Sequence, residues 1–101
     1  MTTDFHNEAL AEYHNSAAYS ENMFGLGEEF VQAVEHAIAA ISSEPKRYKP
    51  VGENLHDFRM ERFPYHLFYL HLLGSERVTI LAVAHTSRRP NYWKSRIPPL
   101  P

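Results

Sequence analysis

The spacing of apolar residues changes once along this chain, from helical to extended, and that change limits it to folds that stack helices on a sheet. Phe30, Val34, Ile38 and Ile41 recur at intervals of four, four and three, the period that lines up side chains on one face of an α-helix. From residue 55 the interval is two. Phe58 and Met60 alternate with Arg59 and Glu61, then Tyr65, Leu67 and Tyr69 with His66, Phe68 and Leu70, as in a strand. Between the two regimes lies "PKRYKPVGEN", a Pro-rich basic stretch that reads as a loop.

The remaining elements follow from local signals. Asn7 or Asp4 can cap a first helix running to about Tyr19, with Leu10, Tyr13 and Ala17 on one face and Glu8, Glu12 and Asn15 on the other. "SENMFGLGEE" separates it from the second helix, which Ser42 to Pro45 ends. "LLGSER" is a turn before "RVTILAVAH", so residues 55 to 85 predict a three-stranded antiparallel meander. Its last two strands are apolar on nearly both faces, which predicts central positions. Met1 to Phe5 leaves room for a very short leading strand. The expectation is an α+β fold in the order (β)ααβββ, a helical hairpin packed on one face of a small antiparallel sheet. Pro90 can open a short terminal helix in "PNYWKSR", which "IPPLP" ends.

A chain of 101 residues holds one core, so a single domain over 1–101 is expected. The absence of cysteine excludes a disulfide framework, a thiolate metal site and a cysteine nucleophile. No apolar run approaches the ~20 residues of a membrane span, and "MTTDFHNEAL" has no secretory pattern. A soluble cytoplasmic protein without membrane contact is expected. Seven scattered histidines form no HxxxH or HxH pair, and no glycine-rich phosphate loop occurs. Neither a metal nor a cofactor is expected.

Charge divides the chain. Met1 to Glu44 carries eight acids and no Lys or Arg, whereas the remainder carries ten Lys and Arg against four acids. That predicts an acidic helical layer and a basic working layer suited to phosphates or an acidic partner, unless folding interleaves the two as ordinary surface pairs. The basic residues gather in "HTSRRPNYWK". Arg88, Arg89, Tyr92, Trp93, Lys94 and Arg96 combine guanidinium groups with aromatic rings, as single-strand readers and protein hot spots do. Alternatively Trp93 folds back to plug the end of the sheet while the cations face outward. Arg59 and Glu61 share one strand face and Arg62 takes the other, as a phosphate contact or a salt-bridged edge. His66 shares a face with Phe68 and would suit a general base near neutral pH, or a structural or partner-binding role. His85 closes the last strand and either shapes the turn or lines the groove.

The segments "FHNEALAEY", "GLGEEFVQAVEHAIAAI", "EPKRYKPVG", "RFPYHLFY" and "ILAVAHTSRRPNYWKSR" together resemble the RelE/ParE superfamily of small toxins of bacterial type II toxin–antitoxin systems. The resemblance spans almost the whole chain and implies two helices on a small curved antiparallel sheet. It also implies a cognate antitoxin that wraps the toxin in a hetero-oligomer, contributing an amphipathic helix and an acidic tail. Two activities occur on this fold: the RelE-like branch cuts mRNA on the ribosome, and the ParE-like branch poisons DNA gyrase. In the nuclease pattern the central-strand arginine falls on His66, one catalytic lysine on Arg59, the other on Asp57, which has the wrong charge, and the base-stacking tyrosine on Tyr92. Arg59, His66, His85 and Tyr92 make the candidate nuclease set. The terminal "HTSRRPNYW" is closer to the ParE-like branch, for which Arg62, Arg88, Arg89, Trp93, Lys94 and Arg96 are the expected target contacts. That branch is not enzymatic. A member without toxicity, binding only its antitoxin, is the third possibility.

Overall fold

A computed structural model describes residues 1–98. The elements are β1 (Thr2–Phe5), α1 (Asn7–Phe24), α2 (Gly27–Ser43), β2 (Lys49–Gly52), β3 (Leu55–Arg59), β4 (Tyr65–Leu70), β5 (Arg77–His85) and a 3-10 turn at Lys94–Arg96. The strands form one sheet in the order β1-β5-β4-β3-β2. β1 runs parallel to β5, and the other pairs are antiparallel. The α+β architecture and the β3–β4–β5 meander match expectation, with β4 and β5 in the interior of the sheet.

Four local details differ from the sequence reading. The basic stretch after α2 contains a strand, β2, pairing Lys49 with Asp57 and Pro50 with His56. An edge strand can carry a proline because one row of its backbone groups needs no partner, and with both faces largely exposed it has no apolar alternation to betray it. Helix α1 continues past Tyr19 to Phe24, leaving Tyr19, Met23 and Phe24 exposed. Its first turn is capped by His6, whose Nδ1 accepts from the Glu8 N–H at 3.1 Å, rather than by Asn7 or Asp4. Pro90 starts no helix: Asn91 turns the chain at φ 63° and only Lys94–Arg96 coils. Of the "IPPLP" ending, residues 99–101 lie outside the described residues.

The α1–α2 corner depends on two glycines. Gly25 adopts φ 66° and its N–H donates to Glu21 O at 2.9 Å, the left-handed helix stop that glycine adopts without strain. At Gly27 a Cβ would stand 2.8 Å from Glu21 Cβ and 3.2 Å from Ala17 O, so the helices close up there because no side chain intervenes. Gly25→Ala is expected to cost about 1 kcal/mol and Gly27→Ala more, up to ~3 kcal/mol of overpacking. Thermal melts of both variants test that order; equal melting temperatures would refute it.

The sheet is covered on both sides. On the helix side Phe30, Val34 and Ile41 of α2 meet Leu67, Tyr69, Val78, Ile80 and Val83. On the outer side Leu55, Leu81, Ala82 and Ala84 are closed over by Trp93. A bulge between β4 and β5 pairs Phe68 with Ala82 and Tyr69 with Ile80, leaving Leu81 as the extra residue. Leu81 and Ala82 thus both serve the outer core.

Candidate functional site

Beyond Ile80 the outer edge of β5 loses its strand partner, because β1 ends at Phe5. Backbone groups there would be orphaned, and side chains take them. Glu12 on α1 accepts from the Val83 N–H at 3.0 Å, and Arg96 Nη1 donates to Leu81 O at 2.9 Å. The two side chains also hold each other, Nη1 and Nη2 of Arg96 lying 2.9 and 3.0 Å from the two Glu12 oxygens, the bidentate geometry that makes arginine–carboxylate pairs strong. The Tyr92 hydroxyl donates to Glu12 at 2.7 Å, and Arg96 Nε lies 3.2 Å from Glu8, one helical turn before Glu12. The Glu12 and Arg96 side chains are only 14% and 10% exposed.

This clamp fixes the C-terminal segment. Burial would raise the Glu12 pKa, but bonds from Arg96, Tyr92 and the Val83 N–H, with the Arg96 charge, outweigh it and hold the carboxyl below its ordinary value. Tyr92 is driven the other way, by burial first and then by its bond to Glu12. The Arg88 guanidinium lies 3.9 Å from the Tyr92 ring centroid, a cation–π contact. Trp93 stacks on Phe68 with centroids 4.6 Å apart and is buried.

The expected target-contact cluster therefore divides. Arg88, Arg89 and Lys94 are exposed, and among the described residues neither Arg89 nor Lys94 forms an ion pair. Trp93 and Arg96, expected as target contacts, are committed inward, to the outer core and to the clamp. Arg62 is exposed elsewhere, beside Phe63 on the β3–β4 connection. The acidic and basic halves are partly interleaved, since Glu8 and Glu12 of the first bind Arg96 of the second. Sequence reasoning placed Glu12 on a solvated face and missed its role; the one available signal was the acid pair at i and i+4 on a helix, in a chain whose C-terminal segment is cationic.

The nuclease candidates do not converge. Arg59 and His66 are direct cross-strand partners on the outer face. His66 Nδ1–H donates to Asp57 Oδ1 at 2.7 Å and its ring lies parallel to that of Phe68, so Asp57 orients the imidazole and leaves Nε2 for another group. His85 instead pairs with Tyr65 and meets its ring edge-on at 5.1 Å, on the helix side. Its Nδ1 accepts from the Ser87 N–H at 3.0 Å, which shapes the following turn. Tyr92 is held by Glu12. The groove expected to contain Arg59, His66, His85 and Tyr92 brings together only the first two, with Asp57 as the unexpected third member.

The family model describing the ParE toxin of the type II toxin–antitoxin system parDE matches residues 4–90. The chain belongs to the ParE toxin family. Among curated proteins no match is found. The fold is similar to a solved structure described as a chromosomal ParDE TA system from P. aeruginosa, with a TM-score of 0.60 and 13% identity over 84% of this chain and 95% of that one; at that identity the likeness is one of fold. The ParE match ends at Pro90, so Arg88 and Arg89 lie inside it, whereas Tyr92, Trp93, Lys94 and Arg96 follow it. No helix among the described residues of this ParE family member is long and apolar enough to cross a membrane.

Proposed function

We propose that this chain is the toxin subunit of a type II toxin–antitoxin pair, that it binds and inhibits DNA gyrase, and that a cognate antitoxin neutralises it in a hetero-oligomer. Membership of the ParE family carries the reading. The geometry supports a binding rather than a chemical role: Arg89 and Lys94 are exposed on a segment fixed by Trp93 and the Glu12–Arg96 pair, with Arg88 stacked on Tyr92 beside them. Cations on a rigid platform lose little freedom on docking and steer association with an acidic target surface. On this reading residues 1–101 act as one domain, in the cytoplasm.

Induced expression without antitoxin, followed by supercoiling assays on purified protein, tests it. Supercoiling is expected to fail while transcripts stay intact. Arg89→Glu with Lys94→Glu should weaken inhibition about tenfold or more, the equivalent of ~1.4 kcal/mol, without changing stability. Active gyrase in the presence of folded toxin would overturn the reading.

A second reading draws on the Asp57–His66 bond beside Arg59: cleavage of mRNA on the ribosome, with His66 as the base and Arg59 stabilising developing charge. It requires cut transcripts that become intact with His66→Ala. Unimpaired growth on induction would instead leave only antitoxin binding.

A further inference from the structure

Where α1 ends, its last turns stand over the point at which β4 begins and β5 stops. A hollow of about 380 Å³ lies there, lined by Tyr19 and Phe24 of α1, Phe63 and Tyr65 at the start of β4, His85 at the end of β5, and the exposed Arg62. We propose that this hollow is a binding site for a small aromatic carboxylate, its ring held among the aromatic side chains and its charge facing Arg62 and His85. Such a ligand is independent of the gyrase reading and of any antitoxin.

The floor and the rim are built differently. Phe63 and Tyr65 are each met edge-on by the buried Phe30 ring, with centroids 5.2 and 5.0 Å away, and Tyr65 also meets His85 at 5.1 Å. These rings are fixed before a ligand arrives, so binding has little left to order. Tyr19 and Phe24 touch edge-on at 6.2 Å yet stay 48% and 66% exposed. Single exposed aromatics are ordinary, but a pair on the rim of an aromatic hollow offers apolar area that a ligand ring would remove from water. The volume is near the small end of ligand pockets and suits one or two fused rings. Aromatic walls accept a flat ring, stacked or edge-on, better than an alkyl chain.

The free polar groups are donors. Phe63 O already accepts from the Tyr65 N–H at 2.8 Å and Pro64 O from the Thr86 N–H at 2.9 Å. Because His85 Nδ1 accepts from the Ser87 N–H at 3.0 Å, the hydrogen of the neutral ring lies on Nε2. The sequence reading left His85 between shaping the turn and lining a groove; Nδ1 does the first while the ring does the second. The Arg62 guanidinium, which can only donate, lies 5.7 Å from the Phe63 ring centroid and forms no ion pair among the described residues. No Asp or Glu lines the hollow among the described residues. An anion therefore meets donors without an opposing charge. One carboxylate matches one guanidinium fork, whereas the phosphates of a nucleotide would outnumber it.

Titrating the full chain with naphthoate, followed by NMR, tests the site. Saturable shifts of the Tyr19, Phe24 and Tyr65 ring resonances are expected at or below about 1 mM, with Trp93 on the outer side of the sheet unmoved. Naphthamide has the shape without the charge, and cyclohexanecarboxylate the charge without the aromatic ring; each should bind about tenfold or more weakly. Arg62→Gln should bring naphthoate down to the affinity of the amide. Lys46→Gln removes the same charge from an exposed position outside the lining and should change nothing. Phe24→Ala, also at an exposed position, should weaken naphthoate and naphthamide alike. Equal binding of acid and amide, an equal loss in the two charge variants, shifts centred on Trp93, or no saturable shift at all would overturn the proposal. Ring shifts that depend on protein concentration with no probe added would overturn it too, because a second copy would then fill the hollow. Supercoiling enters none of these readouts, so a failure of the gyrase reading leaves the test as it stands.

Discussion

Replacing Glu12 by alanine is expected to lower the free energy of unfolding by about 3–5 kcal/mol, because it breaks a buried ion pair by removing one partner only. The Tyr92 hydroxyl and the Val83 N–H lose their acceptor, and the Arg96 guanidinium loses its bidentate carboxylate and keeps Leu81 O. Glu8 still faces Arg96 but is exposed and cannot reach the β5 edge in its place. For a chain of this size the loss corresponds to a fall in melting temperature of roughly 15 °C or more. Glu12→Gln keeps the shape and one acceptor, and should lose less. Urea denaturation measures both; a loss under ~1 kcal/mol for the alanine variant would mean that the clamp is ornamental.

The same site makes stability depend on pH at both ends. The Glu12 carboxyl is held below its ordinary value of 4.5 in the folded chain, so its contribution is complete above that value and is lost as pH falls through the lower folded value. Acid unfolding should therefore be steeper in the parent than in Glu12→Gln. Tyr92 and Tyr69 are pushed upward, each by burial first; the Tyr69 hydroxyl donates to Pro45 O at 2.6 Å. Their contribution is intact below the ordinary phenol value of 10.0 and is lost as pH rises through the folded values, so alkaline unfolding should accompany phenolate formation.

Trp93→Ala should cost about 3–5 kcal/mol, since Trp93 is 2% exposed and caps a core of Leu55, Leu81, Ala82 and Ala84. Its removal uncovers the Phe68 ring as well as leaving a cavity, so dye binding to exposed apolar surface should rise with the loss of stability. Trp93→Phe retains a ring over Phe68 and should recover most of it. A Trp93→Ala chain melting within a few degrees of the parent would show that the terminal segment does not close the outer core. Glu12 and Trp93 secure the same segment from different elements. The double variant should accordingly lose less than the two single losses combined, a non-additivity that independent sites would not show. On the gyrase reading either substitution also lowers inhibition, because it loosens the platform that carries Arg89 and Lys94.

The helices, the meander and the family were legible in the sequence because each depends on residues close together in the chain. The second helix needed only the spacing of Phe30, Val34, Ile38 and Ile41, and the shared face of His66 and Phe68 followed from alternation, whereas the pairing of Arg59 with His66 came from the strand register. β2 was hidden because an edge strand of Lys, Pro, Val and Gly, exposed on most sides, has no buried face to impose a period. Asp57 was set aside for its charge, although that charge is what orients His66.

His85 illustrates the limit. Strict alternation from Ile80 puts residue 85 on the outer face with His66; the bulge at Leu81 reverses the parity, and His85 faces the helices beside Tyr65. A bulge is a compromise between the twists of two paired strands, and no local spacing announces it. The clamp is less legible still, since Arg96 and Glu12 meet across 84 positions. The sequence by itself determined the periodic elements and the supply of charge, because propensity and side-chain spacing act within a few residues. Which acid met which base, and which cations stayed free for a partner, was decided by the tertiary structure, where the unpaired edge of β5 required a donor and an acceptor and only the packed chain brought Arg96 and Glu12 to it.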